Sequence, residues 1–236
     1  MSFSVVIPVY NEEAKIKSVV ERLLACGIEN IVVVDDGSSD RSAEVASTLG
    51  AHIIDLGATL GVGRALERGM KYVQEKGHEY CVIMAGNNKD EPKEIPRLLA
   101  ALRKDEADFV QGSRWLKEGK AGGDMPYYRR FATQLHPFLF SLFVGKKITE
   151  STNGFRAFRC TILDDPQINL QQSWLDGYEL EPYFLFKVIK LKYRHIEVPC
   201  TKIYPNKKLG ITKMRPFYDW WNIMRPIFLL GLGLKK

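Results

Sequence analysis

Cysteine, histidine and long apolar runs are all scarce in this 236-residue chain. Its four cysteines (Cys26, Cys81, Cys160, Cys200) form no CxxC pair, which excludes a thiolate metal cluster and predicts buried free thiols rather than a disulfide framework. The four histidines are scattered as well, which argues against zinc. No stretch approaches the ~20 apolar residues needed to cross a bilayer. The opening MSFSVVIPVYNEE lacks a basic segment, and Pro8 interrupts its short apolar run. It is a poor signal peptide, so a cytoplasmic location is expected. Internal repeats and low-complexity segments are absent too. Acids are missing from one region in particular. From Thr201 onward eight Lys/Arg face a single acid, Asp219, a local charge of +7 in a chain of net +6, so residues 1–200 sum to −1. That basic end suits an anion: phosphate, an anionic lipid surface or nucleic acid. No nucleic-acid recognition motif accompanies it, so nucleic acid is not an expected partner.

What is present reads as alternating strands and helices. With 45% hydrophobic and 26% charged residues, the composition is that of an ordinary globular core, and the length fits one α/β domain with a C-terminal extension. Phe3–Val9 is a continuous apolar run, as in a strand buried on both faces. Ile16, Val19, Val20, Leu23 and Leu24 then recur at helical spacing until Gly27. NIVVVDDGSSD predicts a second buried strand, with Ser39 or Asp40 capping a helix to about Leu49. AHIIDL is a third strand. Val62, Ala65, Leu66, Gly69, Met70 and Val73 mark a helix face, and YCVIM is a fourth strand. Ile95, Leu98, Leu99 and Leu102 stripe the next helix, and ADFVQGSR is a fifth strand. Such alternation predicts a mostly parallel sheet with helices on both faces. Ligands then sit beyond the C-terminal strand ends, where Tyr10–Glu12, Asp35–Ser38, Gly86–Asp90 and Gln111–Arg114 cluster. Further on, YYRRFATQLHPFLFSLFVG predicts an aromatic-rich helix, STNGFRAFR a strand, YELEPYFLFKVIKL a helix and YRHIEVPCTKIY one strand. The glycines and charges of Lys117–Pro126 suggest a mobile flap.

The fragments VVIPVYNEE, VVVDDGSSD, LGVGRALERGM, QGSRW, NGFRAFR and LGITKM follow one another over roughly residues 3–214. In that order they resemble family 2 glycosyltransferases, and most of all the dolichol-phosphate mannosyltransferase-like branch. The resemblance implies a GT-A (Rossmann-like) α/β fold over residues 1–214, with residues 215–236 as an amphipathic C-terminal segment. It implies transfer of a hexose, with inversion, from a UDP- or GDP-sugar to a polyprenyl phosphate in cell-envelope glycan synthesis. Pro8, Tyr10 and Glu12 would line the nucleoside pocket, with Asp36 accepting from the base. A strand-end carboxylate suits a donor edge, and a Tyr ring offers an apolar face; the plainer alternative is that Asp35 and Asp36 only shape a turn. Gly61 would let the backbone approach the nucleotide while Arg64 points at negative charge beside a helix N-terminus; the plainer alternative is that Gly61 and Gly63 only let the chain turn into the helix.

One part of the pattern departs from the family. Where relatives carry Asp-x-Asp to hold Mg²⁺ or Mn²⁺, this chain has Ala85-Gly86-Asn87. A departing nucleoside diphosphate still needs positive charge beside it. Two substitutes are open: the Lys89 ammonium acting as a point charge, or Asn87 and Asp90 holding a weakly bound, dispensable ion in a shifted site. The alternatives are a solvent-exposed Lys89 and an Asp90 that caps the helix beginning near Pro92. On the acceptor side, Arg114, Arg129 and Arg130 are expected to hold a phosphate, unless the latter two belong to a solvated face. Glu150 replaces the branch's usual Asp. Were the acceptor a hydroxyl on a glycan or lipid, Glu179 or Glu181 would be its base. Lys207 and Lys213, with Thr212, match a basic loop that closes over the diphosphate, or else form a mobile tail. In the final segment Phe217, Trp220, Trp221, Met224 and Phe228 share one helical face, with Pro226 kinking the chain. That pattern suits a helix in the membrane interface, making the protein peripheral, or one docked on the domain. A catalytically silent nucleotide-sugar-binding protein is the reading from another class.

Overall fold

The computed structural model describes residues 2–204 and 218–236. The alternating first half folds as its pattern predicts. Strand β1 (Phe3–Val9), helix α1 (Glu13–Leu24), β2 (Ile31–Asp35), α2 (Ser42–Thr48) and β3 (His52–Asp55) follow in turn. They lead to α3 (Val62–Glu75), β4 (Tyr80–Ile83), α4 (Ile95–Arg103) and β5 (Phe109–Ser113). The second half supplies β6 (Lys120–Gly123), α5 (Tyr127–Val144), β7 (Arg156–Arg159), α6 (Leu180–Lys190), β8 (His195–Pro199), β9 (Thr201–Tyr204) and α7 (Tyr218–Gly231). Seven strands form one sheet in the order β3-β2-β1-β4-β7-β5-β8. All its pairings are parallel except those of β7, which is antiparallel to both β4 and β5.

Two apolar layers cover this sheet because its strands are apolar on both faces. Ile16, Val19 and Leu23 of α1 and Leu98, Leu99 and Leu102 of α4 lie on one side. Leu66 and Met70 of α3, Phe140 of α5, Phe184 of α6 and Ile227 of α7 lie on the other. Leu24, placed by its spacing in the first of these faces, is 37% exposed instead. Asp40 does serve the start of α2, accepting from the Ser42 N–H at 3.0 Å.

Two expectations need correction. The glycine-rich 117–126 segment contains β6, which pairs in parallel with β9 as a separate two-stranded sheet. The single strand expected over YRHIEVPCTKIY is two, because the chain leaves the main sheet at Cys200 and pairs anew. The C-terminal helix runs from Tyr218 to Gly231 with Pro226 inside it. It also packs on the domain: Phe228 meets Phe143 of α5 edge-on at 5.7 Å, Trp220 lies 5.4 Å from Tyr128, and Asp219 is buried. The boundary expected at residue 214, and Phe217, fall outside the described residues.

Candidate active site

A cavity of about 1650 Å³ opens beyond the C-terminal ends of β1, β2 and β4. Its far wall is built by α5, by the segment around Trp174–Glu181 and by α7. Of the expected nucleotide contacts, Pro8, Tyr10, Glu12, Asp36, Gly61 and Asn87 line it, and Arg64 does not. Tyr10 is 40% exposed there, and Glu12 holds Lys15 at 2.8 Å. The Asp36 carboxylate accepts from the main-chain N–H groups of Leu60 (2.7 Å) and Gly61 (2.9 Å), which pins the loop entering α3. Burial raises its pKa, and those two donors only partly oppose the shift.

The glycines before α3 are required by a close approach. Gly61 has φ +107°, and a Cβ on Gly63 would stand 1.9 Å from the Leu175 carbonyl oxygen. The N-terminus of α3 is closed by the protein, because the Gly63 and Arg64 N–H groups both donate to the Asp176 carbonyl. Arg64 itself pairs with Asp176 at 2.7 Å and with Glu67 at 3.6 Å. The expectation that Arg64 aims at a ligand is therefore corrected: its charge is used to join α3 to the 173–177 segment.

The loop after β4 is the informative one. Asp90 is buried and turned inward. One carboxylate oxygen accepts from the Ala85 N–H at 3.1 Å and the other from the Lys202 ammonium at 2.7 Å. Asp90 is not a helix cap; Glu91 accepts from the Lys93 N–H and starts the turn that leads into α4. Asn87 lines the cavity, and its buried Oδ1 has no hydrogen-bond partner among the described residues. A divalent ion does not fit this set. Ala85 offers no side-chain ligand, Asn87 offers a neutral amide, and the one carboxylate is already bonded to an ammonium that would repel the ion. Among the described residues no group of three or more His, Cys, Asp or Glu could hold a metal. At the expected Asn87–Asp90 metal site, then, the structure shows a carboxylate–ammonium pair beside a neutral amide.

Lys89 is not on the surface. It is 7% exposed, and its ammonium lies 5.0 Å over the Tyr204 ring. No carboxylate or carbonyl holds that ammonium among the described residues. Burial, then the neighbouring charges of Arg129, Lys202 and Lys15, lower its pKa to about 7, with Asp90 opposing. Arg129 approaches the same ring at 5.6 Å. Arg114 is fully engaged with the protein: it donates to Glu150 (2.6 Å), to the Tyr204 hydroxyl (2.7 Å) and to Thr152 (3.0 Å). Burial works against both charges, but their mutual attraction prevails, so the Glu150 carboxyl lies below its usual pKa and Arg114 above. Arg114 and Arg129 line the cavity, whereas Arg130 stands outside it, exposed, over Trp115.

Both carboxylates considered as bases carry arginine partners. Glu179 is buried against Arg225; burial raises its pKa, with Arg225 opposing. Glu181 pairs with Arg156 at 3.1 Å. Lys207, Thr212 and Lys213 lie outside the described residues. The sequence reading gave no role to Lys202 or Tyr204. The sequence alone does not mark them: the structure shows that in Thr201–Tyr204 the apolar Ile203 is 47% exposed while Lys202 and Tyr204 are buried, the reverse of an ordinary half-buried strand.

Residues 4–165 match the family model described as glycosyl transferase family 2. The chain is similar to an undecaprenyl-phosphate mannosyltransferase of Micrococcus luteus, 30% identical over 89% of this chain and 86% of that one. It is also similar to a polyprenol monophosphomannose synthase of Mycolicibacterium smegmatis, 29% identical over 89% and 80%. A UDP-N-acetylglucosamine–dolichyl-phosphate N-acetylglucosaminyltransferase of Methanococcus voltae is 29% identical over 84% of each chain. Among solved structures, glucosyl-3-phosphoglycerate synthase of Mycobacterium tuberculosis with Mn²⁺, UDP and phosphoglyceric acid superposes with a TM-score of 0.71. That match has 19% identity and covers 100% of this chain and 80% of that one; at such identity it speaks for the GT-A fold alone. The chain belongs to glycosyl transferase family 2, in the branch of the polyprenyl-phosphate enzymes, and is a glycosyltransferase.

Proposed function

We propose that this family 2 glycosyltransferase moves a hexose, with inversion, from a UDP- or GDP-sugar to a polyprenyl phosphate at a membrane surface. One observation carries the choice of acceptor. The cavity presents Lys89, Lys202 and Arg129, while Glu179 and Glu181 stand within ion-pair distance of Arg225 and Arg156. A hydroxyl acceptor needs a base to take its proton. An ionised phosphate needs none and is held by cations. The names of the relatives, which act on undecaprenyl, polyprenol or dolichyl phosphates, point the same way.

The direction of a lipid's approach follows from α5. Tyr128, Arg129, Phe131 and Leu135 line the cavity, and the helix carries an exposed apolar face outward through Tyr127, Phe131, Phe138 and Leu142. At 60–92% exposure, that face suits the headgroup–acyl boundary of a bilayer. It runs straight from the cavity mouth, so a phosphate held inside leaves its hydrocarbon chain along α5. Among the described residues no helix is long and apolar enough to span the membrane; in this reading the exposed face of α5 supplies a peripheral attachment. In this reading the nucleotide lies against Pro8, Tyr10 and Asp36, and its diphosphate faces the loop after β4.

Labelled UDP- and GDP-hexoses, presented with vesicles containing undecaprenyl or dolichyl phosphate, test the proposal. Label is expected in an acid-labile, lipid-extractable product. Label passing only to hydroxyl acceptors would install the alternative with Glu181 as base. Intact nucleotide binding with no transfer to any acceptor would make the protein a silent binder.

A further inference from the structure

Lys202 has a geometry that a mere structural ion pair does not require. It is 8% exposed and held at 2.7 Å by two acceptors, the Asp90 carboxylate and Asn153 Oδ1. An ammonium carries three N–H donors. The third has no partner among the described residues, and the side chain lines the cavity beside the loop after β4. The backbone holds it there twice over, through the Asp90–Lys202 bridge and the Ile203 N–H donated to the Lys89 carbonyl at 2.9 Å. Through Asp90 it reaches the loop after β4, where the resemblance places the family's metal-holding carboxylates and where a divalent ion does not fit.

Charge summed over the site completes the argument. Two carboxylates around a divalent ion sum to zero. The Asp90–Lys202 pair likewise sums to zero, with the Lys89 side chain beside it, so phosphates entering this cavity meet ammonium groups where a metal site would present its ion. Lys202 cannot drift away as an exposed lysine would, so no side-chain ordering opposes its contact with a ligand. Preorganised positive charge of this kind is what a leaving diphosphate needs.

We infer that Lys202, tethered by Asp90 and Asn153 with Lys89 beside it, is the resident cation for the donor diphosphate, and that the protein binds nucleoside diphosphates without a divalent ion. Asp90 is then a positioning residue: it carries the ammonium instead of a metal. The inference rests on the reading of the cavity as a nucleotide-sugar site.

Calorimetric titration of the full chain with UDP, GDP, UMP and GMP, in EDTA and in Mn²⁺, tests it. In EDTA the diphosphate of the preferred base should bind at least ~10-fold more tightly than the monophosphate, the scale of a hydrogen bond to a charged group. Mn²⁺ should change that ratio by less than about threefold, roughly 0.6 kcal/mol. Lys202→Met should abolish the ratio while leaving the monophosphate bound, and Lys202→Arg should keep most of it. A wild-type ratio that disappears in EDTA and returns with Mn²⁺ overturns the inference, as does a Lys202→Met protein that keeps it. Should the Met variant fail to fold, the EDTA comparison on the wild type decides alone. If neither nucleotide binds under any condition, it is the nucleotide-sugar reading that fails.

Discussion

Lys89→Met removes an ammonium that is 7% exposed, has no acceptor among the described residues and is surrounded by the charges of Arg129, Lys202 and Lys15. A fall from 10.5 to about 7, at ~1.4 kcal/mol per unit, sets an upper bound of roughly 5 kcal/mol against folding. Solvent reaching the cavity, and the lost contact with the Tyr204 ring, worth about 0.5–1 kcal/mol, reduce the net gain. The Met variant should therefore be more stable than the wild type by about 2–4 kcal/mol at pH 6. The sign with pH follows from proton counts. Between the folded value near 7 and the ordinary 10.5, the unfolded chain binds more protons, so wild-type stability rises with pH across that window. The advantage of Met should thus be largest at and below pH 7 and fade towards pH 10.5. Urea unfolding of both proteins at pH 6, 7.5 and 9, with unchanged m-values, measures it. In parallel, donor affinity should fall by about tenfold or more, the loss of one charged contact. A Met variant that is less stable at pH 6, or whose advantage grows with pH, would refute the reasoning.

Three further outcomes follow from the same geometry. Gly63→Ala places a Cβ 1.9 Å from the Leu175 carbonyl and 2.5 Å from that of Gly177; with backbone on both sides it should lose roughly 2–3 kcal/mol, and an unchanged Tm would contradict the contact. His195 is buried with both ring nitrogens unpartnered among the described residues, and burial, Lys146 and Arg156 lower its pKa to about 3. Burial likewise lowers His136 to about 4. Between these values and the ordinary 6.5 the unfolded chain binds more protons, so stability should fall as pH drops from 6.5 to 4. His195→Phe should flatten that loss in acid-unfolding curves, and a slope as steep as the wild type's would count against it. Phe131→Glu with Phe138→Glu, on side chains 66% and 60% exposed, should leave Tm within about 1–2 °C, as exposed substitutions do, yet sharply reduce flotation with anionic vesicles; equal flotation would remove α5 from the membrane.

The first half of the chain was legible because each of its elements buries a periodic face. The runs Phe3–Val9 and Ile31–Asp35 are apolar on both sides, and α1, α3 and α4 carry stripes at 3.6-residue spacing. Periodicity says nothing of strand direction, however, so the antiparallel insertion of β7 between β4 and β5 was out of its reach. Pairing partners were equally hidden: β6 looked like a flexible loop because glycines that bring backbones together are the same glycines that loosen one. At the site, residue types pointed to positions but not to partners. Arg64, Asp90 and Arg114 read as ligand contacts, yet Asp176, Lys202 and Glu150, each from a distant part of the chain, hold them. The C-terminal helix showed its aromatic face in the sequence; Trp220 and Phe228 of that face pack on α5 while Trp221 is 57% exposed, and α5 carries an exposed apolar face of its own.

What organises the site is the small β6–β9 sheet, an addition to the main fold rather than a part of it. After β8 ends in the main sheet, the chain turns at Cys200, and β9 is drawn across the cavity by β6. The step is fixed by the Lys120 N–H donated to the Cys200 carbonyl at 2.9 Å and by Gly123, where a Cβ would lie 2.0 Å from the Tyr204 carbonyl. Alternation along β9 then turns Lys202 and Tyr204 inward together. Tyr204 is what allows so many cations to share one wall: its ring faces Lys89 and Arg129, and its hydroxyl accepts from Arg114. An aromatic ring stabilises cations without neutralising them, whereas a carboxylate at the same place would cancel the charge a phosphate is meant to meet. The absence of an Asp-x-Asp pair after β4 and the inward turn of β9 meet at one point: the loop offers the single carboxylate of Asp90, and β9 sets the Lys202 ammonium against it.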